Sequence, residues 1–203
     1  LDENAKVILA SHLGRPKGKR NEEMSLAPVA KRLGRLLEKE VILAPDCVGA
    51  ETKRIVDNMK PGDVVLLENL RFHPEEEKNG EEFGKQLAEL ADVYIDDAFA
   101  MAHRAHASNV AMTTHIKDAG AGFLMKKELT YFAMAMEKPT RPLVAIIGGK
   151  KVSDKVGVLL SLCDRVDKLI IGGGDTDVAV RSEERRVGKE CWPRCRSRCA
   201  REH

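Results

Sequence analysis

Aromatic residues are scarce in this 203-residue chain, at 4% of positions. Cysteine is nearly as rare. Cys47 and Cys163 stand alone in apolar or helical surroundings, while Cys191, Cys195 and Cys199 crowd into the last stretch. That pattern excludes the disulfide framework that staples small secreted domains. No apolar run approaches the roughly 18 residues of a membrane span, and the opening LDENAKVILASH has no basic-then-apolar signal pattern. Nor does one sign of charge dominate. The formal net charge of +2 arises in the stretch from Arg181 to His203, where eight Lys/Arg face four Asp/Glu; the rest of the chain holds 26 basic against 28 acidic residues. So balanced a body gives no general attraction to nucleic acid or an anionic membrane, and any anion site must be local. A cytoplasmic protein is expected, with neither nucleic acid nor membrane as partner. Leu1 stands first, without an initiator Met, at what reads as the end of a helix, so a preceding segment is expected.

What is present is aliphatic and alternating. Hydrophobic residues make up 43% and charged residues 33%, the balance of a chain that buries a core. KVILAS (6–11), VILA (41–44), VVLLEN (64–69) and VYIDDAF (93–99) read as short buried strands. Between them, Leu26, Val29, Ala30, Leu33, Leu36 and Leu37 recur at helical spacing behind a candidate N-cap, Ser25, with Pro28 in the first turn. Ile55, Val56 and Met59 mark a second helix, and Phe83, Leu87 and Leu90 a third. EEEKNGEE (75–82) reads as a solvated loop and helix start. The alternation predicts an α/β fold: an open, mostly parallel Rossmann-like sheet flanked by helices on both faces. A long helix follows Gly122 and ends at Lys138-Pro139. A second unit then begins, with strands 143–149 and 167–174 around a helix at 153–162. The expected division is 1–121, a connecting helix and hinge 122–138, the start of a second domain 139–174, and a tail 175–203.

In a parallel α/β sheet, ligands sit beyond the carboxyl ends of the strands, where loops and helix N-termini converge. SHLGRP, ENLRFH and AHRAH occupy those positions, bringing His12 and Arg15, Arg71, and His103 and Arg104 toward one edge. Arg forks clamp phosphate or carboxylate bidentately. A lone Arg is better read as a cap or a surface ion pair, but three strand ends together point to a site for a small phosphorylated ligand. His73 and His106 read as loop-shaping hydrogen bonders, and His115 carries no signal. In IIGGKKVSDK, Gly148 and Gly149 allow close backbone approach, while Lys150, Lys151 and Lys155 open a helix whose dipole they oppose unless an anion is bound. Taken alone, a plain turn explains that motif nearly as well. Gly172 and Gly173, ending the next strand, would face the same ligand.

SHLGRP, LLENLRFHPEEEKN, DDAF..AHRAHAS, GFLMKKEL and IGGxKVSDK, in this order, resemble the phosphoglycerate kinases over about residues 5–174. The resemblance implies a two-domain, hinge-bending enzyme that moves a phosphoryl group between 1,3-bisphosphoglycerate and ADP, giving 3-phosphoglycerate and ATP with Mg2+. It implies that His12, Arg15, Arg71 and Arg104, adjoined by His103, hold the phosphoglycerate. It likewise implies that Lys151 and Lys155 meet the transferred group and the nucleotide phosphates, Lys151 and Arg15 being catalytic, and that Gly148, Gly149, Gly172 and Gly173 wall the nucleotide pocket. A monomer is expected. The ionised carboxylate acceptor needs no general base, which suits a site of Arg and Lys without a Ser-His or Cys-His pair.

Departures from the family pattern shape the expectation. An earlier strand with a substrate-binding Asp and Asn, a later Arg, the ribose-binding Glu and the magnesium-binding Asp find no match in this chain. Phe99-Ala100-Met101 replaces Phe-Gly-Thr, so Ala100 strains its loop if the family's glycine uses positive φ. After Gly174 the likeness lapses. The segment RSEERRVGKEC is similar to a translated sequencing adapter, and Cys191, Cys195, Cys199 and His203 do not match zinc spacing. No metal site is expected, and binding is expected in preference to turnover. A non-catalytic phosphate-binding module and an unstable fragment with exposed sheet edges are the alternatives.

Overall fold

The computed structural model describes residues 4–137, 139–149, 157, 161–162 and 165–173. The chain divides into two compact units, Leu1–Lys127 and Glu128–His203. In the first, β1 (Val7–Leu9), β2 (Val41–Leu43) and β3 (Val64–Leu66) form a wholly parallel sheet ordered β1-β3-β2. The central strand is buried throughout: Val64, Val65 and Leu66 are no more than 2% exposed. Because side chains alternate across a strand, Val65 and Leu66 enter opposite cores. Val65 packs with Ala44, Met59, Phe83 and Leu87, joined by Ile55 and Val56 from helix α2 (Ala50–Asp57). Leu66 packs with Leu26 and Ala30 beneath helix α1 (Ala27–Leu37). Helices thus cover both faces, the α/β/α layering that the alternation predicts.

Helix α1 shows how local chemistry fixes the layer. Ser25 Oγ accepts from Ala27 N and donates to Glu68 Oε2, and Leu26 N donates to Glu68 Oε1. Glu68, at the end of β3, therefore anchors the helix start to the sheet, and its buried charge is compensated by three donors, the third being Asn69 N. The helix ends where Glu38 turns left-handed at φ 53°. The apolar stripe is narrower than its spacing predicts, since Val29 and Leu36 are exposed.

Two short helices follow β3: α3 (Pro74–Glu77) and α4 (Glu81–Ala88). Strand β4 (Val93–Asp96) does not join the first sheet, contrary to the single sheet expected. It pairs in parallel with β5 (Asp118–Ala121), a DAGA stretch with no strand signal in sequence. The physical reason is spatial. Residues of β1 and β4 both line a cavity of about 700 Å3, and β4 takes its ladder from β5 instead of from the first sheet. Gly122, just after β5, is required sterically: a Cβ there would lie 2.4 Å from Asp97 Cγ. Asp97 Oδ1 in turn receives Met125 N at the start of helix α5 (Phe123–Met136).

In the second unit, β6 (Val144–Gly149) and β7 (Lys168–Gly173) form a parallel pair. Asp167 Oδ2 accepts from Leu143 N and Arg141 Nη1, closing the base of the pair. The helix expected at 153–162 and the tail 175–203 lie outside the described residues, apart from 157 and 161–162. No helix among the described residues is long and apolar enough to cross a membrane.

Candidate functional site

Five hydrogen bonds stitch the segment from Leu9 to Gly18, which contains SHLGRP, to the segment from Leu67 to Arg71, which enters ENLRFH. Leu67 N donates to Leu9 O, Leu70 N to Ser11 O, and Gly18 N to Arg71 O. Asn69 Nδ2 donates to Leu13 O, and Arg71 Nη1 to Gly14 O at 3.0 Å. The loop can make this fit because Gly14 and Gly18 take left-handed φ of 65° and 70°, and a Cβ on Gly18 would strike Pro74 at 2.7 Å.

The AHRAH loop is attached through a residue that the sequence reading leaves in a solvated loop. Glu76 is 3% exposed. Its carboxylate accepts from Ser108 Oγ at 2.6 Å and Ser108 N at 3.0 Å, and its carbonyl from Ala107 N. Asn109 then shapes the loop internally, donating to Met101 O and Arg104 O and accepting from His106 N. Ala100 is absent from the described non-glycine residues with positive φ, so the strain expected there does not arise.

These ties converge on His12. Partial burial lowers its pKa from the ordinary value of 6.5, and the charges of Arg71, His106 and Arg104 lower it further, with Glu77 opposing. Four cationic or protonatable side chains from three strand-end loops therefore share one electrostatic neighbourhood. Arg71 is the buried member, its side chain 6% exposed, and its Nε lies 3.4 Å from Glu77 Oε1 without making a hydrogen bond. His106 is likewise buried, with Nδ1 3.5 Å from Glu76 Oε1 and no hydrogen bond. Arg15, His103 and Arg104 are exposed, and His103 Nε2 accepts from Arg104 Nε at 3.5 Å. His73 and His115 each pair with a carboxylate, Asp46 at 2.6 Å and Glu81 at 2.7 Å.

In the second unit, Gly148 pairs with Gly172 and Gly149 with Gly173, so the two glycine ends lie side by side. Lys151 and Lys155 lie outside the described residues.

A family model for phosphoglycerate kinase matches residues 1–202. The chain belongs to the phosphoglycerate kinase family. The match runs past Gly174, where the motif likeness lapses. The phosphoglycerate kinase of Geotalea uraniireducens is 59% identical over 189 residues, covering 93% of this chain and 47% of that relative. The Aquifex aeolicus protein of the same name is 61% identical over 173 residues, 85% of this chain and 43% of its own length. The solved phosphoglycerate kinase from Pyrococcus horikoshii gives a TM-score of 0.76 at 30% identity, covering 91% of this chain and 47% of that one. The Coxiella burnetii structure gives 0.73 at 40%, with 93% and 47% covered. The chain spans about half the length of these relatives.

Phosphoglycerate kinase chemistry implies Mg2+, a hard cation that takes oxygen ligands. The described residues do not fit it. Their one grouping of potential metal ligands is Asp46, Cys47 and His73, a mixed sulfur, nitrogen and oxygen set.

Proposed function

We propose that this chain carries the phosphoglycerate-binding part of a glycolytic phosphoglycerate kinase, with 3-phosphoglycerate or 1,3-bisphosphoglycerate held by His12, Arg15, Arg71, His103 and Arg104. The observation that carries the reading is Arg71, a buried guanidinium with one carbonyl acceptor and one poorly aligned carboxylate, beside His12 and Arg104. Clustered cations repel, and a phosphate or carboxylate dianion relieves that repulsion while satisfying the guanidinium forks. Arg15, exposed at the rim, and Lys151 are assigned to the transferred phosphoryl group. Lys155, Gly148, Gly149, Gly172 and Gly173 are assigned to ADP or ATP, which binds with Mg2+.

The chemistry needs positioning rather than a base. The acceptor carboxylate is already ionised, so the protein's work is to align it and to neutralise charge spreading over the phosphoryl oxygens. On this reading residues 1–121 form the phosphoglycerate domain, 122–138 the connecting helix and hinge, 139–174 the start of the nucleotide domain, and 175–203 a segment outside both. The protein works in the cytoplasm as a monomer on small molecules.

Thermal melts test this. Ligands that bind only the folded state raise the melting temperature. 3-Phosphoglycerate is expected to raise it, and ATP separately to raise it through the second unit. A rise with phosphoglycerate alone would favour a binding module over a kinase, and a rise with neither would overturn the proposal.

A further inference from the structure

We propose that Asp46, Cys47 and His73 form a binding site for a borderline-soft divalent cation of the Zn2+ class. Its ligands are Cys47 Sγ, His73 Nε2 and an Asp46 carboxylate oxygen, with water in the fourth position. The sequence reading expects no metal; these ligands come from two loops 27 positions apart, and no spacing motif announces them. The fold brings them together. Asp46 and Cys47 follow β2, His73 stands between the 3-10 turn Leu70–Phe72 and α3, and their donor atoms all lie within 4.8 Å of one another.

The distances suit a tetrahedral ion. Zn–S near 2.3 Å and Zn–N or Zn–O near 2.1 Å imply ligand separations of roughly 3.4–3.7 Å. Cys47 Sγ and Asp46 Oδ1 are already 3.5 Å apart. The His73 Nε2 to Asp46 Oδ1 contact, 2.6 Å, must open by roughly 1 Å to admit the ion. Both of those side chains are partly exposed, at 26% and 44%, so they have room to turn.

The surroundings hold the donors ready. The His73 ring stacks on Phe83 with centroids 5.0 Å apart. Asp46 O accepts from Thr52 Oγ1, Asp46 Oδ1 from Cys47 N, and Pro45 O from Arg20 Nη1. Cys47 is fully buried, so the ion enters between His73 and Asp46 and meets sulfur last. Burial and the neighbouring Asp46 carboxylate push the thiol pKa up, so the sulfur is protonated without metal. Binding forms the metal–sulfur bond, breaks S–H and releases that proton to solvent. Mixed S/N/O coordination suits Zn2+, Co2+ or Cd2+ and discriminates against Mg2+ and Ca2+.

The test uses the full chain with Cys163, Cys191, Cys195 and Cys199 replaced by Ser, leaving Cys47 as the one thiol, and Co2+ as the probe. The expected result is one equivalent of Co2+, giving a thiolate-to-metal charge-transfer band and tetrahedral visible bands, displaced by Zn2+ and abolished in urea. Cys47→Ser risks the core, so the partly exposed ligands carry the comparison: His73→Gln and Asp46→Asn should each weaken binding about tenfold or more. The proposal is overturned if no charge-transfer band forms, if it persists in urea, or if both variants bind Co2+ as tightly as the parent.

Discussion

His12 is where the site's electrostatics become measurable. Its pKa is lowered first by burial and then by Arg71, His106 and Arg104. A group whose folded pKa lies below its unfolded value binds more protons when unfolded, so stability from neutral His12 is present above about 6.5 and is lost as pH falls through the folded value. A bound phosphate dianion reverses the balance by favouring imidazolium. Histidine NMR titration should therefore place His12 below 6.5 in the free chain and move it upward with 3-phosphoglycerate. An unchanged His12 titration at saturating ligand would remove it from the site. Glu76 is the complementary case, a buried carboxylate serving geometry. Glu76→Gln keeps the shape but replaces one acceptor oxygen with an amide NH2 donor facing the Ser108 donors. A loss of about 1–3 kcal/mol is expected in urea unfolding, and no loss would mean that the AHRAH loop is held by other contacts.

At the scale of elements, packing decides against propensity where α4 meets Ala111–Thr114. Ala in place of Gly84 raises helix propensity by about 1 kcal/mol. The added Cβ, however, would lie 2.6 Å from Ala111 Cβ and 2.8 Å from Met112 N, backbone that cannot step aside cheaply. Overpacking of this kind costs about 1–3 kcal/mol, so Gly84→Ala should lower the urea midpoint, and a raised midpoint would contradict the packing. The elements also show what a sequence can and cannot display. Val64–Leu66 was legible because a strand buried on both faces is aliphatic at every position, and α1 because its cap, proline and stripe agree. Strand β5 was not: Asp118–Ala121 is made of small, exposed residues without a β-branched or aromatic side chain, and it is a strand only because β4 offers it a ladder. Glu76 is hidden in the sequence for a related reason. Acidic runs are usually solvated, and only the fold brings Ser108 to this one.

At the scale of the whole molecule, three chain segments separated by dozens of residues act as one surface because the topology puts their strand ends together. The sequence displayed His12, Arg71 and Arg104 through their positions after strands. It could not display the Asn69 and Glu76 ties that hold them, since those depend on partners distant in the chain. Nor could it show that Arg71 is buried while Arg15 and His103 stay at the rim. The first unit carries these strand-end loops and the hydrogen bonds that support them, whereas the second holds two glycine-ended strands side by side. The most direct measurement is calorimetric titration of the full chain with 3-phosphoglycerate, beside Arg71→Gln, which keeps a polar side chain but removes the charge. Loss of charge-assisted hydrogen bonds worth about 1.5–3 kcal/mol should weaken binding about 10- to 100-fold, and added salt should weaken the parent more than the variant. A folded parent chain that binds no 3-phosphoglycerate, or binds it as tightly as Arg71→Gln does, would contradict the account.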